Sequence, residues 1–363
     1  MTAGDFLRLG AYVLCWGLAA MACVVTVLPL SDSNVWWIRI LDFPRLQIAV
    51  AAAAVLVFAL ILPGGTTRLV VTLLMLAVCG YQLWRILPYT PLAGVEMTLA
   101  DPGPDSVRIL SSNVLMENDD YDSVMAVVRA FDPDILLLME TDQVWVDAVE
   151  PVLAGYATVI REPKDNHYGM VFATRLPVVQ ARTIQLTASE TPSLFAELTA
   201  PDGTTFRFVG LHPRPPVPGE NTKERDAQIY YAARFARDSP MPVVVTGDFN
   251  DVAWSDTSRT FKRVGEYLDP RIGRGFFASF DADRAWLRFP IDQMYVTPNV
   301  AVVSIERRAY VGSDHFPMAA TLRFDATLAS RLNVTPKGLS DAERSRIERS
   351  NEETRLRLGH TKP

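Results

Sequence analysis

The chain has 363 residues, of which 49% are hydrophobic, and its 41 acidic side chains outnumber its 35 basic ones to give a formal net charge of −6. This acidic balance excludes a net basic field of the kind that drives nonspecific binding to duplex nucleic acid. The three cysteines, Cys15, Cys23 and Cys79, all lie in the apolar N-terminal part, so the rest of the chain has no disulfide available.

Three apolar segments come first along the chain, at residues 9–30, 46–62 and 69–87. Each is close to the ~17–25 residues that a helix needs to cross a bilayer. A signal peptide is the alternative for the first segment, but it lacks a small-x-small cleavage site and two more apolar segments follow it. Buried core helices are the alternative for the other two, whose all-round hydrophobicity argues against a surface helix. We therefore predict a membrane anchor of three transmembrane helices over residues 1–87.

Aromatic and basic residues flank the predicted spans. Trp36, Trp37, Tyr81 and Trp84 fit the aromatic belt that forms at the headgroup level of a bilayer. Basic residues are nearly equal in number on the two sides of the predicted membrane, so the positive-inside rule leaves the orientation of the chain open.

The rest of the chain divides into a linker, a domain and a tail. Residues 88–105 are rich in Pro and Gly and are typical of a short linker. Residues 106–326 mix strand-like runs with helical stretches, which predicts one α/β domain large enough for a substantial core. Residues 327–363 are polar and charged, which predicts a solvated helix or disordered tail, with a partner-binding helix as the alternative.

The first motif that carries chemistry is Gly-Asp-Phe-Asn at residues 247–250, which directly follows the β-branched run 243–246. This pattern predicts a buried strand with a site at its carboxyl end. Asp248 and Asn250 are two residues apart and so project to the same side of an extended chain. Their oxygen atoms suit Mg²⁺ or Mn²⁺, and the amide can instead bind a phosphate without adding negative charge. An Asx turn after a strand is the structural alternative.

A second group of polar residues comes near the end of the predicted domain. Asp292 begins a strand-like segment, and the adjacent Asp314 and His315 follow later in the chain. Because adjacent side chains diverge, Asp314 is better placed to contact a metal than to orient His315. Asp292 can accept one imidazole N–H and raise the basicity of the ring, which predicts His315 as a general base for water. A polar turn before the last strand is the alternative.

The order of these motifs resembles that of the endonuclease/exonuclease/phosphatase superfamily, which includes deoxyribonuclease I, abasic-site endonucleases, inositol polyphosphate 5-phosphatases and bacterial sphingomyelinases. The resemblance covers about residues 106–325. It rests on Asn113 in the first strand, Glu140 after the run 133–139, the segment 168–175 with Thr174 in place of the usual serine, His212 in Gly-Leu-His-Pro, the Gly-Asp-Phe-Asn motif, Asp292, and the Ser-Asp-His sequence 313–315.

The resemblance implies a fold and a metal site. The fold is a four-layer α/β sandwich, two packed mixed β-sheets flanked by helices, in which the motif-bearing strand ends converge at one edge. Glu140 would be the principal ligand of Mg²⁺ or Mn²⁺, with Asn113 and Asp314 completing the shell directly or through water. Asp248 would orient the attacking water or hold a second metal.

The resemblance also implies roles at the substrate. Asn250 and His212 would steady the phosphoryl oxygens, and His315 paired to Asp292 would handle the proton. Members differ on which group is the base, so the choice between Asp248 and His315 stays open. His167 and Tyr168 precede a motif glycine, and they either bind phosphate or pack at the start of a strand.

The predicted function is a membrane-anchored, divalent-metal-dependent phosphoesterase that acts on a lipid headgroup or a small phosphoester. We expect a multi-pass protein of a bacterial inner or plasma membrane, with the lipid bilayer as a partner. A metal-dependent nuclease with the same chemistry is the first alternative, because membrane tethering does not exclude a nucleic acid substrate. A catalytically silent membrane-side binding module is the second, and the completeness of the polar set argues against it.

Overall fold

The computed structural model describes residues 2–186, 191–219, 221–237, 240–336 and 338–341, together with residues 344, 345 and 348. The chain divides into two compact units. The first comprises Met1–Ala93 and Pro216–Thr222, and the second comprises Gly94–Pro215 and Lys223–Pro363.

Helices make up most of the first unit: α1 (Ala3–Val27), α2 (Trp36–Arg39), α3 (Arg45–Ile61) and α4 (Thr66–Ile86). Ala3–Leu30 and Thr66–Tyr89 are each long and apolar enough to cross a membrane. Trp36–Asp42 and Arg45–Ile61 meet at an angle of 75° and pass the same test only as a pair. The described residues therefore contain two helices that could span a bilayer, and the prediction of three is met only if the bent pair is one span.

A buried polar network joins the helices of the first unit. Arg45 forms an ion pair with Asp42 and donates to the side-chain oxygen of Gln82 over 3.1 Å. The Gln82 amide in turn donates to the Thr26 hydroxyl over 2.9 Å. Polar side chains that bond to each other between apolar helices stabilise one arrangement of those helices, because none of them can leave its partner without losing a hydrogen bond.

The second unit is built on two mixed β-sheets. In chain order the strands are β1 (Val107–Asn113), β2 (Ile135–Met139), β3 (Thr158–Glu162), β4 (Met170–Thr174), β5 (Val178–Gln185), β6 (Pro192–Thr199), β7 (Thr205–Leu211), β8 (Val243–Asp248), β9 (Asp292–Val296), β10 (Ala301–Arg307) and β11 (Met318–Arg323). The six-stranded sheet has the order β10-β11-β1-β2-β4-β3, and the five-stranded sheet has the order β5-β6-β7-β8-β9. β1 and β2 are parallel, as are β7 and β8, and the other neighbours are antiparallel.

Helices cover the outer face of each sheet. α5 (Tyr121–Phe131) and α6 (Gln143–Leu153) pack with residues of the six-stranded sheet, and α7 (Lys223–Arg237) and α8 (Asp256–Val264) pack with residues of the five-stranded sheet. The largest core cluster lies between the sheets and draws on both, for example through the stacked rings of Phe172 and Phe208. This arrangement confirms the predicted four-layer α/β sandwich.

The second unit extends beyond the predicted domain limits of 106 and 326. The Met97 side chain is fully buried in the core between the sheets, and the Ala100 N–H donates to the Val302 carbonyl over 2.8 Å. Part of the predicted linker is therefore packed into the second unit. Burial of the apolar Met97 side chain stabilises this packing. At the other end, the helix α9 (Ala326–Leu332) follows β11, and Leu339 is buried in the outer cluster of the five-stranded sheet. The predicted tail beyond residue 348 lies outside the described residues.

We predict that Gly247→Ala will destabilise the second unit by about 3 kcal/mol or more. Gly247 has a φ of 138°, and an added Cβ would lie 2.0 Å from the carbonyl oxygen of Leu211. Gly155→Ala is the matched control, because no heavy atom of the described residues lies within 4 Å of its added Cβ. Thermal unfolding midpoints of the two variants check the prediction, and equal midpoints would contradict it.

Candidate active site

Strand ends from both sheets carry the predicted site residues. In the six-stranded sheet, Asn113 at the end of β1 pairs with Met139, which directly precedes Glu140. In the five-stranded sheet, Asp248 at the end of β8 pairs with Asp292 at the start of β9. Parallel neighbours end at the same edge of a sheet, so the order of the strands gathers these polar side chains at one edge.

Asn113 connects the carboxylates of the two sheets. Its side-chain N–H groups donate to Glu140 Oε1 over 2.7 Å and to Asp248 Oδ2 over 3.2 Å. Its own amide oxygen accepts from the Leu115 N–H over 3.0 Å. Glu140 has a φ of 62°, a left-handed conformation that non-glycine residues rarely adopt and that often marks a functional position.

His212 is buried between the same two carboxylates. Its Nε2 lies 3.8 Å from Glu140 Oε1 and 3.7 Å from Asp248 Oδ2. Burial lowers the pKa of His212 to about 4, although Glu140 favours the charged ring. The imidazole is therefore neutral at physiological pH, and it can donate through only one of its nitrogens.

His315 lies between Asp292 and Asp248. Its Nδ1 is 2.7 Å from Asp292 Oδ2, and its Nε2 is 3.6 Å from Asp248 Oδ2. Burial disfavours the charged ring, but the carboxylates of Asp292 and Asp248 outweigh burial and raise the pKa of His315 to about 10. Burial also raises the pKa of Asp248, which the charge of His315 opposes. The ring of His315 is therefore charged near neutral pH, between the two carboxylates.

Asp314 and Asn250 lie beside this pair. Asp314 keeps 31% of its side chain exposed, with its Oδ1 4.0 Å from His315 Nε2, and burial raises its pKa. The Asn250 N–H donates to Asp248 Oδ1 over 2.8 Å, which is the Asx turn that was the structural alternative for this motif. The Asn250 side-chain amide donates to the Pro213 carbonyl over 2.9 Å. Asp248 therefore fixes the turn with one oxygen and contacts Asn113 with the other.

His167 and Tyr168 lie at the rim of the site. His167 Nδ1 is 3.3 Å from Glu140 Oε2, and its Nε2 is 3.4 Å from Glu117 on the exposed side. The Tyr168 ring lies 5.3 Å from the His212 ring, centre to centre, and the Arg214 guanidinium is 5.6 Å from the Tyr168 ring. Both residues are thus close enough to contact a substrate held by Glu140 and His212.

Sequence reasoning missed the residues that support the site. The Ser313 hydroxyl donates to the Asn113 carbonyl over 2.9 Å and accepts from the His315 N–H over 3.0 Å. The buried Arg225 donates to the Asn250 carbonyl over 3.2 Å and lies 3.5 Å from Asp251. Ser313 belongs to the Ser-Asp-His sequence identified above, but no role was predicted for its hydroxyl. Arg225 lies on a polar helix with no motif, so its burial gave no signal in the sequence.

The donor set fits a hard divalent cation. Glu140, His212 and Asp248 offer ligand atoms that all lie within 4.8 Å of one another, and Asp248, Asp292 and His315 form a second such group. Carboxylate oxygens dominate both groups, which suits Mg²⁺ or Mn²⁺, and the imidazoles suit Mn²⁺ in particular. A cation would also relieve the repulsion between carboxylates that face each other in a buried place.

A four-layer sandwich with carboxylates and imidazoles at one edge of its sheets defines a class of metal-dependent phosphoester hydrolases. The sequence model of the Endonuclease/Exonuclease/phosphatase family matches residues 110–315, and the chain belongs to this family. The family comprises hydrolases that act on phosphoester bonds and depend on divalent metals.

Several solved structures are similar to this chain. D. rerio TDP2 in complex with a single-strand DNA product has a TM-score of 0.51 and 15% identity, over 60% of this chain and 99% of that one. The endonuclease/exonuclease/phosphatase from Bacteroides vulgatus has a TM-score of 0.49 and 20% identity, over 60% and 98%. The Bacteroides thetaiotaomicron mannosyl-6-phosphatase has a TM-score of 0.48 and 19% identity, over 60% and 100%. A comparison with curated proteins found no match.

Proposed function

We propose that this chain is a membrane-anchored phosphoesterase that depends on Mg²⁺ or Mn²⁺ and acts on a lipid headgroup or a small phosphoester. The observation that carries the proposal is the meeting of Glu140, Asn113, His212 and Asp248 with His315 at one edge of the two sheets. Phosphoester hydrolysis needs an in-line nucleophile, neutralised phosphoryl charge and an assisted leaving group. This set of side chains can serve all three needs.

Glu140 is proposed as the principal ligand of the cation, with Asn113 and Asp314 completing the shell directly or through water. Asp248 either orients the attacking water or joins Glu140 and His212 around a second cation. A bound divalent cation supplies positive charge that stabilises the phosphoryl oxygens and the leaving group. Asn113 keeps the Glu140 and Asp248 carboxylates at a fixed separation, because it donates to both.

The other side chains bind the phosphate and move the proton. Either Asp248 or His315 takes up the proton of the attacking water, and Asp292 holds the His315 ring through Nδ1. His212, which is neutral at physiological pH, donates one N–H to a phosphoryl oxygen, and the Asn250 amide is placed for the same role. His167 and Tyr168 contact the substrate at the rim.

The apolar helices of the first unit favour a substrate in the bilayer, because an anchored enzyme meets a lipid at a raised effective concentration. We propose that these helices make the chain a multi-pass protein of a bacterial inner or plasma membrane. A membrane-anchored nuclease is the alternative with the same chemistry, and the net charge of −6 gives it little electrostatic attraction to nucleic acid. A silent binding module would not need the complete set of polar side chains.

The test uses the full chain reconstituted in vesicles with Mg²⁺ or Mn²⁺. Phospholipid substrates are placed either in the vesicles that carry the enzyme or in separate vesicles, and inositol phosphates, single- and double-stranded DNA, and RNA are supplied in solution. We expect lipid hydrolysis in the enzyme's own vesicles and far less in separate ones, because an anchored enzyme cannot reach them. Glu140→Gln is the inactive control.

A nuclease would behave differently in this test. Its rate on dissolved DNA or RNA would not depend on vesicle composition, and it would fall steeply with salt as phosphate contacts are screened. Salt-sensitive cleavage of nucleic acid without lipid hydrolysis would replace the lipid proposal with the nuclease. The absence of hydrolysis on every substrate, with both metals, would support the silent binding module.

A further inference from the structure

Two arginines pack against Phe316, the second residue after Asp314. The guanidinium carbons of Arg288 and Arg307 lie 5.0 Å and 4.3 Å from the centre of the Phe316 ring. Contact with an aromatic face orients a guanidinium and leaves its N–H edge available for an acceptor. Arg288 and Arg307 are therefore both oriented by the same ring, which lies next to the Asp-His motif.

Backbone oxygens occupy only part of the hydrogen-bonding capacity of the pair. Arg288 Nη2 donates to the Ala282 carbonyl and Arg307 Nη1 donates to the Ala278 carbonyl, each over 2.7 Å. The Nε atom of Arg288 is buried without a hydrogen-bond partner. A guanidinium offers five N–H donors, so most donors of the pair have no acceptor in the described part of the chain.

The pair also has no counter-ion. Across the described residues, neither Arg288 nor Arg307 forms a salt bridge with a carboxylate. Two neighbouring arginines differ in this respect: Arg284 lies 3.1 Å from Asp281, and Arg308 lies 2.7 Å from Glu306. The lack of a partner is thus a property of the pair and not of the whole surface around it.

Like charges held together without a counter-ion repel each other. Burial lowers the pKa of Arg307, and the charge of Arg288 lowers it further. An anion that accepts from both guanidiniums, through N–H groups that have no acceptor in the described part of the chain, would reduce this repulsion. Phosphate groups suit such a place, because the planar guanidinium fork matches the spacing of phosphate oxygens.

A short chain of contacts links the pair to the candidate active site. The Ala282 carbonyl accepts from Arg288, and the Ala282 N–H donates to the Asp314 carbonyl over 2.7 Å. Tyr310 packs edge-on against the Phe316 ring at 6.1 Å and is half exposed. A single residue, Ala282, therefore connects Arg288 to the backbone of the Asp-His motif.

We propose that Arg288 and Arg307 form a second anion site, which binds a phosphate group of the substrate other than the ester that is cleaved. The proposal rests on the proposed phosphoesterase function and narrows its substrates to those with at least two phosphate groups. A phosphorylated lipid headgroup, the substrate class proposed above, has this chemistry, and a 5′-phosphorylated nucleic acid is the alternative outcome that the second experiment tests.

The first experiment measures binding without catalysis. Sulfate is titrated into the full chain in detergent with a chelator present, and chloride at the same ionic strength is the reference. We expect Arg288→Gln/Arg307→Gln to weaken sulfate binding by about tenfold or more, because the variant loses both positive charges and their charged hydrogen bonds. Arg284→Gln/Arg308→Gln removes the same charge from paired arginines and should bind like the wild type.

Two further variants keep the binding result decisive. Glu150→Gln should retain sulfate binding, because Glu150 pairs with Arg161 and contacts neither Arg288 nor Arg307 in the described residues. If the double variant does not fold, the exposed Arg307→Gln alone should still weaken binding several-fold. Wild-type-like sulfate binding in the arginine variants, or no sulfate binding by the wild type, would overturn the second anion site.

The second experiment identifies the source of the phosphate. Hydrolysis is compared within two pairs of substrates: a thymidine dinucleotide with and without a 5′-phosphate, and glycerophosphoinositol with and without a 4-phosphate. We expect the added phosphate to raise kcat/KM by about tenfold or more in one pair, and the double arginine variant to lose that preference. If a pair is hydrolysed and the added phosphate does not raise kcat/KM, the arginine pair does not bind a second phosphate of the substrate. If neither pair is hydrolysed, these substrates fail as tests of the proposed function, and sulfate binding still decides the anion site.

Discussion

Glu140→Gln should reduce turnover by about three orders of magnitude or more while leaving the fold intact. The substitution removes the carboxylate charge that the proposed cation needs, and the loss of ~4 kcal/mol of transition-state stabilisation corresponds to such a factor. The side chain keeps its shape, and its remaining oxygen can still accept from Asn113, which now lies 2.7 Å from Glu140 Oε1. Steady-state rates over a range of Mg²⁺ and Mn²⁺ concentrations measure the effect.

Glu150→Gln is the matched control for this change. Glu150 lies 2.8 Å from Arg161 on an exposed surface, so the same loss of charge there should leave turnover near the wild-type value. A Glu140→Gln enzyme that recovers wild-type turnover at saturating metal would show that Glu140 is not the principal ligand. Equal unfolding midpoints for the two variants would exclude loss of fold as the cause of low turnover.

The sequence predicted the parts of the molecule that local pattern determines. β-branched runs predicted buried strands, and the polar residues that end them fell at one edge because neighbouring parallel strands share that edge. Asn113 and Asp248 belong to different sheets, and their contact of 3.2 Å depends on how the sheets face each other. The family resemblance, rather than periodicity, gave the reason to expect that contact.

Long-range packing accounts for most of what the sequence did not predict. Met97 lies in a stretch whose Pro and Gly content indicated a linker, yet it fills the core between the sheets. Arg225 and Asp251 gave no local signal, because a buried charge is recognisable only from its tertiary partners. The bend between Trp36–Asp42 and Arg45–Ile61 also escaped prediction, since Pro44 marks a break but not its angle of 75°.

The contact between Asp292 and His315 yields the second large effect. His315→Ala should lower turnover by about two to four orders of magnitude, because it removes a ring proposed to take up a proton or stabilise charge. Asp292→Asn should cause a smaller loss, since asparagine can still accept from Nδ1 but no longer favours the charged ring. The two losses should be far from additive in the double variant, as expected for residues that act as one unit.

The double-mutant cycle needs a reference in which no coupling exists. Asp292→Asn combined with Glu150→Gln serves this purpose, because Glu150 lies on α6, which packs on the other sheet. Among the described residues, Glu150 pairs with Arg161 and Asp292 with His315, and independent effects of this kind add to within ~0.5 kcal/mol. A metal titration of each variant separates a lost proton-transfer role from weakened cation binding. Because His315 Nδ1 lies 2.7 Å from Asp292 Oδ2, we expect Asp292→Asn to cause almost no further loss of turnover in a chain that already carries His315→Ala. Losses that simply add would instead separate the two residues and make Asp292 a residue that supports the fold.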